Sequence, residues 1–246
     1  MIRKEIKGIV MICIRCNKRE AEVIIAGKKL CEYCARNEII NRLRKNINKL
    51  NSNKIVLIYY KFNSDINKIL ESTVKYINID KYYFMETYNR IDKYLWKLII
   101  ESINILKNKN DIKIITPFTA DFLAAYTIYS AITGEFRYSQ FIDYEVIVNE
   151  KIKLYQPFYN ITLSELNVIE EVKILNTGDL LFDKIYSWIL SNLKDSEELL
   201  RSFRNSSLLI KPFISKKCKK CGANINDINS EYCENCTTLV TSFFQS

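Results

Sequence analysis

Eight cysteines stand in two matched groups, Cys13, Cys16, Cys31 and Cys34 towards one end and Cys218, Cys221, Cys233 and Cys236 towards the other, with none in between. Each group is a pair of C-x2-C steps, separated by fourteen residues in the first and eleven in the second. This is the pattern of a zinc ribbon or treble clef. Two cysteines three apart present both sulfurs to one ion, while the amides of the turn point at the thiolates and relieve their charge. Asn17 and Gly222 each follow the second cysteine of a first pair, where such a turn often needs left-handed backbone. Two structural zinc sites are expected. Disulfides would require an oxidising compartment. Rubredoxin-like iron would use the same four ligands, but iron–sulfur clusters ordinarily use other spacings, so no cluster is expected. With four thiolates apiece, neither module keeps an open position for a catalytic water, so these metals hold shape.

Other reactive groups are scarce. The chain has no histidine, which excludes histidine acid–base catalysis and Ser-His or Cys-His pairs. No Asp/Glu constellation stands out, so no catalytic residue is assigned. The stretch from Ala35 to Lys217 contains no thiol that could carry sulfur or ligate a metal.

The elements that must position these groups alternate in type. Apolar residues at helical spacing (Ile39, Ile40, Leu43, Ile47, Leu50) predict a helix over Cys34–Leu50. The β-branched run Lys54–Tyr60 predicts a strand buried on both faces. A helix follows over Asp65–Ile77 with Ser64 as its cap, then a strand over Lys81–Thr87, a helix over Asp92–Lys107, a strand over Asp111–Ile115 and a helix over Thr119–Thr133. Such alternation implies a Rossmann-like, doubly wound parallel α/β sheet, flanked by the two cysteine modules. The expected organisation is 1–36 as an N-terminal zinc module, 37–212 as the α/β domain with C-terminal helices, and 213–246 as a C-terminal zinc ribbon.

In this class ligands lie where strand ends lead into helix N-termini, and a nucleotide site shows there as a glycine-rich loop. The loop after the first strand is Tyr60, Lys61, Phe62, Asn63, Ser64 and Asp65, without glycine. The loop after the third strand, Thr116 to Asp121, lacks glycine as well. ATP binding is therefore not expected. Lys61, Asn63 and Asp65 are read first as surface and capping residues.

A formal charge of +9 falls to about +5 once each four-thiolate zinc site contributes about −2. The remaining basicity suits a polyanionic partner, and lysines crowd the modules: Lys28 and Lys29 in the first, Lys216, Lys217, Lys219 and Lys220 in the second. These six are the candidate RNA contacts. No apolar run is long enough for a membrane helix and no cleavage-like site follows Gly8–Ile14, which points to a cytoplasmic protein that does not engage a membrane. Met1 and Met11 are both possible translation starts.

The order of these parts resembles the tRNA wobble-uridine 2-thiolation family, in which zinc modules flank a PP-loop pyrophosphatase domain. Ala21, Gly27 and Leu30 between the first cysteines follow the family's opening. The glycine-rich SGGKDS of that family falls on Tyr60–Asp65, and its TGHNLDDEA on Thr116 to Ala124, with Gly134-Glu135 closing the helix. Its RPLYETTEKEL is similar to Gln156–Leu166, where Thr162 and Glu165 also form a capping-box pair. Cys218, Cys221, Gly222, Cys233, Cys236 and Leu239 complete the likeness. The resemblance implies an adenylating tRNA thiolase. The missing loop glycines and core cysteines make this chain similar to the family's degenerate, non-catalytic subunit, a pseudoenzyme. Its partners would be a catalytic ATP-dependent paralogue in a heterodimer or higher hetero-oligomer, tRNA, and a ubiquitin-like sulfur carrier reached through the complex. Two alternatives stand beside it: an active ATP-dependent tRNA sulfurtransferase with an atypical nucleotide loop, and a general zinc-ribbon nucleic-acid-binding protein.

Overall fold

The computed structural model describes residues 11–52, 54–60, 64–73, 77–84, 88–108, 112–149, 152–173, 176–193, 202, 216–225, 227 and 229–243. Five strands form the central sheet: β3 (Lys54–Tyr60), β4 (Asn78–Phe84), β5 (Lys113–Ile115), β6 (Glu145–Asn149) and β7 (Ile152–Tyr155). Their spatial order is β4-β3-β5-β7-β6. β3 runs parallel to β4 and β5, and β5 parallel to β7. β6 pairs antiparallel with β7, opposing Val146 to Leu154, so the sheet is parallel-dominated with one antiparallel edge.

Burial along β3 explains the layering. Ile55, Val56, Leu57 and Ile58 are all buried, as the unbroken apolar run predicts for a strand covered on both faces. Ile55 and Leu57, with Ile115 and Tyr155, join a cluster that takes in α1 (Glu32–Asn48), α2 (Ser64–Thr73) and the first cysteine group. Val56 and Ile58, with Ile114, Val146, Val148 and Leu154, join the opposite cluster. That second cluster holds α3 (Ile91–Asn108), α4 (Ala120–Thr133), α6 (Leu180–Asn192) and the second cysteine group. Each metal module is thus built onto a different face of the same sheet.

Element positions differ from expectation in instructive ways. α1 begins at Glu32, two residues before the helical periodicity suggests, because Cys31 is its N-cap. β4 starts at Asn78, three residues earlier than expected. It is an edge strand with Asp80, Lys81 and Tyr82 exposed, so it lacks the apolar signal of a central strand. α4 begins at Ala120 with Thr119 as the N-cap and ends in a left-handed Gly134. The short α5 (Leu163–Leu166) opens with the predicted capping box: Glu165 N–H donates to Thr162 Oγ1 at 3.2 Å, and Thr162 N–H donates to Glu165 Oε2 at 3.0 Å. Glu165 also pairs with Arg42 of α1 at 2.5 Å in a largely buried setting, which fixes α5 to the helix leading out of the first module. No helix among the described residues is long and apolar enough to cross a membrane.

Candidate metal centres

Cys13 and Cys16 bracket a tight knuckle. Asn17 N–H donates to Cys13 O at 2.9 Å, and Asn17 adopts the expected left-handed conformation with φ 51°. A hairpin of β1 (Val23–Ile25) and β2 (Lys28–Leu30) then returns the chain. Cys31 caps α1 and Cys34 lies in its first turn. The second group repeats this plan. Gly222 N–H donates to Cys218 O at 2.8 Å with φ 71°, β8 (Lys216–Lys217) pairs with β9 (Asn224–Ile225), and Cys233 precedes α7 (Glu234–Phe243), with Cys236 in its first turn. In both, the second cysteine pair sits at the positive end of a helix, which favours thiolates.

The four sulfurs of each group lie within 4.8 Å of one another. Cys16 and Cys31 sulfurs are 3.9 Å apart, and those of Cys221 and Cys233 are 3.6 Å apart. A tetrahedral ion with zinc–sulfur bonds of about 2.3 Å has sulfur–sulfur edges of about 3.8 Å. All these cysteines but the half-buried Cys16 are buried. Burial raises the Cys13 thiol, but the amides of Cys16, Cys31 and Arg15 outweigh it and bring it down to about 6. Cys34 is pushed up to about 12 by burial and by the three neighbouring sulfurs. In the second group Cys218 is lowered by hydrogen bonds from the other three thiols, and Cys221 is raised by the same neighbours. Four thiols at one point cannot all ionise without a cation among them, and a bound metal meets that demand.

Two outer partners of the second group escaped the sequence reading. Trp96 of α3 donates its indole N–H to Cys236 Sγ at 3.3 Å, and the buried Tyr138 hydroxyl lies 4.0 Å from Cys221 Sγ. Burial and the Cys221 and Cys233 sulfurs hold the Tyr138 phenol well above its usual range. Asn224 anchors the module further, donating to Phe136 O and Ser139 Oγ. In the sequence Trp96 stands only as one residue of the apolar helix expected over Asp92–Lys107.

The predicted lysines divide by module. Lys28 is exposed and lies 3.8 Å from Glu38, and the Lys29 ammonium lies 2.8 Å from Met11 Sδ. Lys216 and Lys217 occupy β8, Lys217 donating to Asn224; Lys219 pairs with Glu231, and Lys220 is half-buried beside it. Lys217 and Lys219 border a cleft of about 790 Å³ between this module and the β6–β7 hairpin, with Gln140, Asn149, Ile147 and Ile152 opposite.

The crevice of the sheet falls between β3 and β5, where the strand order reverses. Tyr60 ends β3, and Ser64 and Asp65 open α2. Lys61, Phe62 and Asn63 lie outside the described residues, as do the side chains of Tyr60, Ser64 and Asp65. On the other lip Thr116 is buried, and Phe118 stacks on Phe122 with centroids 4.2 Å apart. Asp121 is buried in the first turn of α4 and accepts from Leu163 N–H at 2.5 Å. Burial raises its carboxyl to about 6 against that hydrogen bond, with Glu165 adding to the rise. Among the described residues, this lip is filled with aromatic rings and carries a buried carboxyl whose proton is held more tightly than an ordinary aspartate's.

No protein-family model matches the chain, and no curated protein matches it in sequence. Among solved structures, the chain is similar to a U34-tRNA thiolase, NcsA from Methanococcus maripaludis, solved with its [4Fe-4S] cluster. The TM-score is 0.67 over 95% of this chain and 97% of that one, at 15% sequence identity. At that identity the likeness is one of fold, along nearly the whole length of both chains. It corrects one expectation: an iron–sulfur cluster was excluded on linear spacing, yet a protein of this fold carries one. Four thiols gathered by the fold are a ligand set such clusters use, whatever their separation in sequence.

Proposed function

We propose that this chain serves the 2-thiolation of wobble uridine 34 in tRNA, as the non-catalytic subunit paired with a catalytic ATP-dependent paralogue. The observation carrying the first part is a fold shared with a U34-tRNA thiolase along nearly the whole chain. The second part rests on what the crevice offers. Its loops lack glycine, its described lip is packed with Phe118 and Phe122, and every cysteine of the chain belongs to one of the two metal groups. On this reading the modules hold metal and present the basic surface of Lys28, Lys29, Lys216, Lys217, Lys219 and Lys220 to tRNA in the cytoplasm. The paralogue supplies activation of the uridine, and a ubiquitin-like carrier delivers sulfur to the complex. Any metal cluster that this chain ligates through cysteine belongs to those two groups, and metal analysis with visible absorption identifies it as zinc, iron or a cluster.

Deletion of the chain is expected to remove the 2-thio group from wobble uridine, and the protein to co-purify with a glycine-loop paralogue. Normal thiolation in the deletion strain refutes the reading. The active-enzyme alternative draws on the same likeness, since the neighbour is itself a thiolase. Calorimetry with ATP separates the two: binding that is lost when Lys61 and Asp65 are replaced favours the enzyme.

A further inference from the structure

A second cleft, of about 640 Å³, opens where α3 and α7 begin. Its volume lies within the ~300–1,000 Å³ typical of small-ligand sites. Tyr88, Asn89, Lys93, Trp96, Gly178 and Asn235 line it, and none of its lining side chains is acidic. Three features converge on one ligand chemistry.

Tyr88 and Trp96 are half-buried rings packed against the core, and the Trp96 indole is held by its hydrogen bond to Cys236 Sγ. Aromatic rings fixed in this way are the platforms on which unstacked nucleobases lie. Among the described residues, the side-chain amides of Asn89 and Asn235 make no hydrogen bond and the Lys93 ammonium makes no ion pair. Two amides can pair with the edge of a base, and an ammonium beside two helix N-termini suits a phosphate. The rim at Gly178 approaches Tyr88 closely. A Cβ there would lie 2.6 Å from the Tyr88 carbonyl oxygen, at φ +84°. Only glycine closes that side of the cleft.

We propose that this cleft binds one unstacked nucleotide of an RNA strand, its base against the Tyr88 and Trp96 rings and its phosphate at Lys93. The inference deepens the tRNA reading and rests on it for the identity of the strand.

The test uses the full chain carrying Trp188→Phe, which leaves Trp96 as the only tryptophan. Fluorescence is titrated with a tRNA transcript, a single-stranded oligouridylate and uridine monophosphate. Both RNAs are expected to quench Trp96 saturably, with the mononucleotide far weaker. Tyr88→Ala and Lys93→Ala should each weaken RNA binding, the former by roughly tenfold as expected for one lost stack. Lys93 is exposed, so its variant keeps the fold and the metals. RNA binding without quenching, or with both variants at wild-type affinity, overturns the proposal. So does mononucleotide binding as tight as RNA, which would make this a free-nucleotide site. Quenching by oligouridylate together with normal wobble thiolation in a deletion strain leaves the cleft standing and fails the thiolation role instead.

Discussion

Gly222 offers the sharpest test of how the second module is seated. It follows Cys221, turns the knuckle at φ 71°, and lies so close to β6 that an added Cβ would meet the Val148 carbonyl oxygen at 2.1 Å, its carbon at 2.9 Å and Val148 Cα at 3.1 Å. All three are backbone atoms, so no side-chain rotation relieves the contact. Gly222→Ala therefore carries two costs. A left-handed non-glycine residue costs about 1–2 kcal/mol, and separating the knuckle from β6 costs about 1–3 kcal/mol, as overpacking in a filled interior does. Gly27 supplies the control: it has φ 73° but nothing within 4 Å of the added Cβ, so Gly27→Ala bears the conformational cost of about 1–2 kcal/mol alone. Urea denaturation followed by far-ultraviolet circular dichroism, with chelator competition for the metal, should find Gly222→Ala about 2–5 kcal/mol less stable than wild type and quicker to release metal. Equal destabilisation by the two substitutions would refute the seating of the module on β6.

Arg42→Ala leaves Glu165 buried without its partner and should cost about 3–5 kcal/mol by denaturation; a loss below about 1 kcal/mol would mean the pair behaves as a surface bridge. Asp121 has a folded carboxyl raised from 3.8 to about 6 by burial, so the native state holds the extra proton and stability falls as pH rises through that window. Asp121→Asn keeps an acceptor for Leu163 N–H and should be more stable than wild type above pH 6, by up to about 3 kcal/mol. That gap should shrink towards pH 5, and a pH-independent gap would contradict the assignment. Metal removal by a chelator should shift the emission of Trp96, whose indole loses a thiolate partner at Cys236; unchanged emission would break that link.

The cysteine spacing alone located both four-thiol groups, because a knuckle and a helix turn each fix two sulfurs locally. The β3 run and the Thr162–Glu165 box were equally legible, since burial on both faces and reciprocal capping leave short-range signatures. Long-range facts were not legible. Nothing local says that the two modules sit on opposite faces of one sheet, that Gly222 touches Val148, or that Trp96 reaches Cys236 across 140 residues. β4 was placed late because its exposed edge breaks the apolar pattern. The exclusion of an iron–sulfur cluster failed for a related reason: spacing along the chain describes the ligands of a local loop, whereas the fold decides which thiols meet.

The most direct test of the central claim is mass-spectrometric analysis of wobble nucleosides in a strain lacking this chain, complemented either with the wild type or with a Lys61→Ala/Asp65→Ala variant of the crevice. Supporting, non-catalytic action predicts loss of 2-thiouridine at position 34 on deletion and full restoration by both proteins. Undiminished 2-thiouridine in the deletion strain, or restoration by the wild type alone, would contradict it.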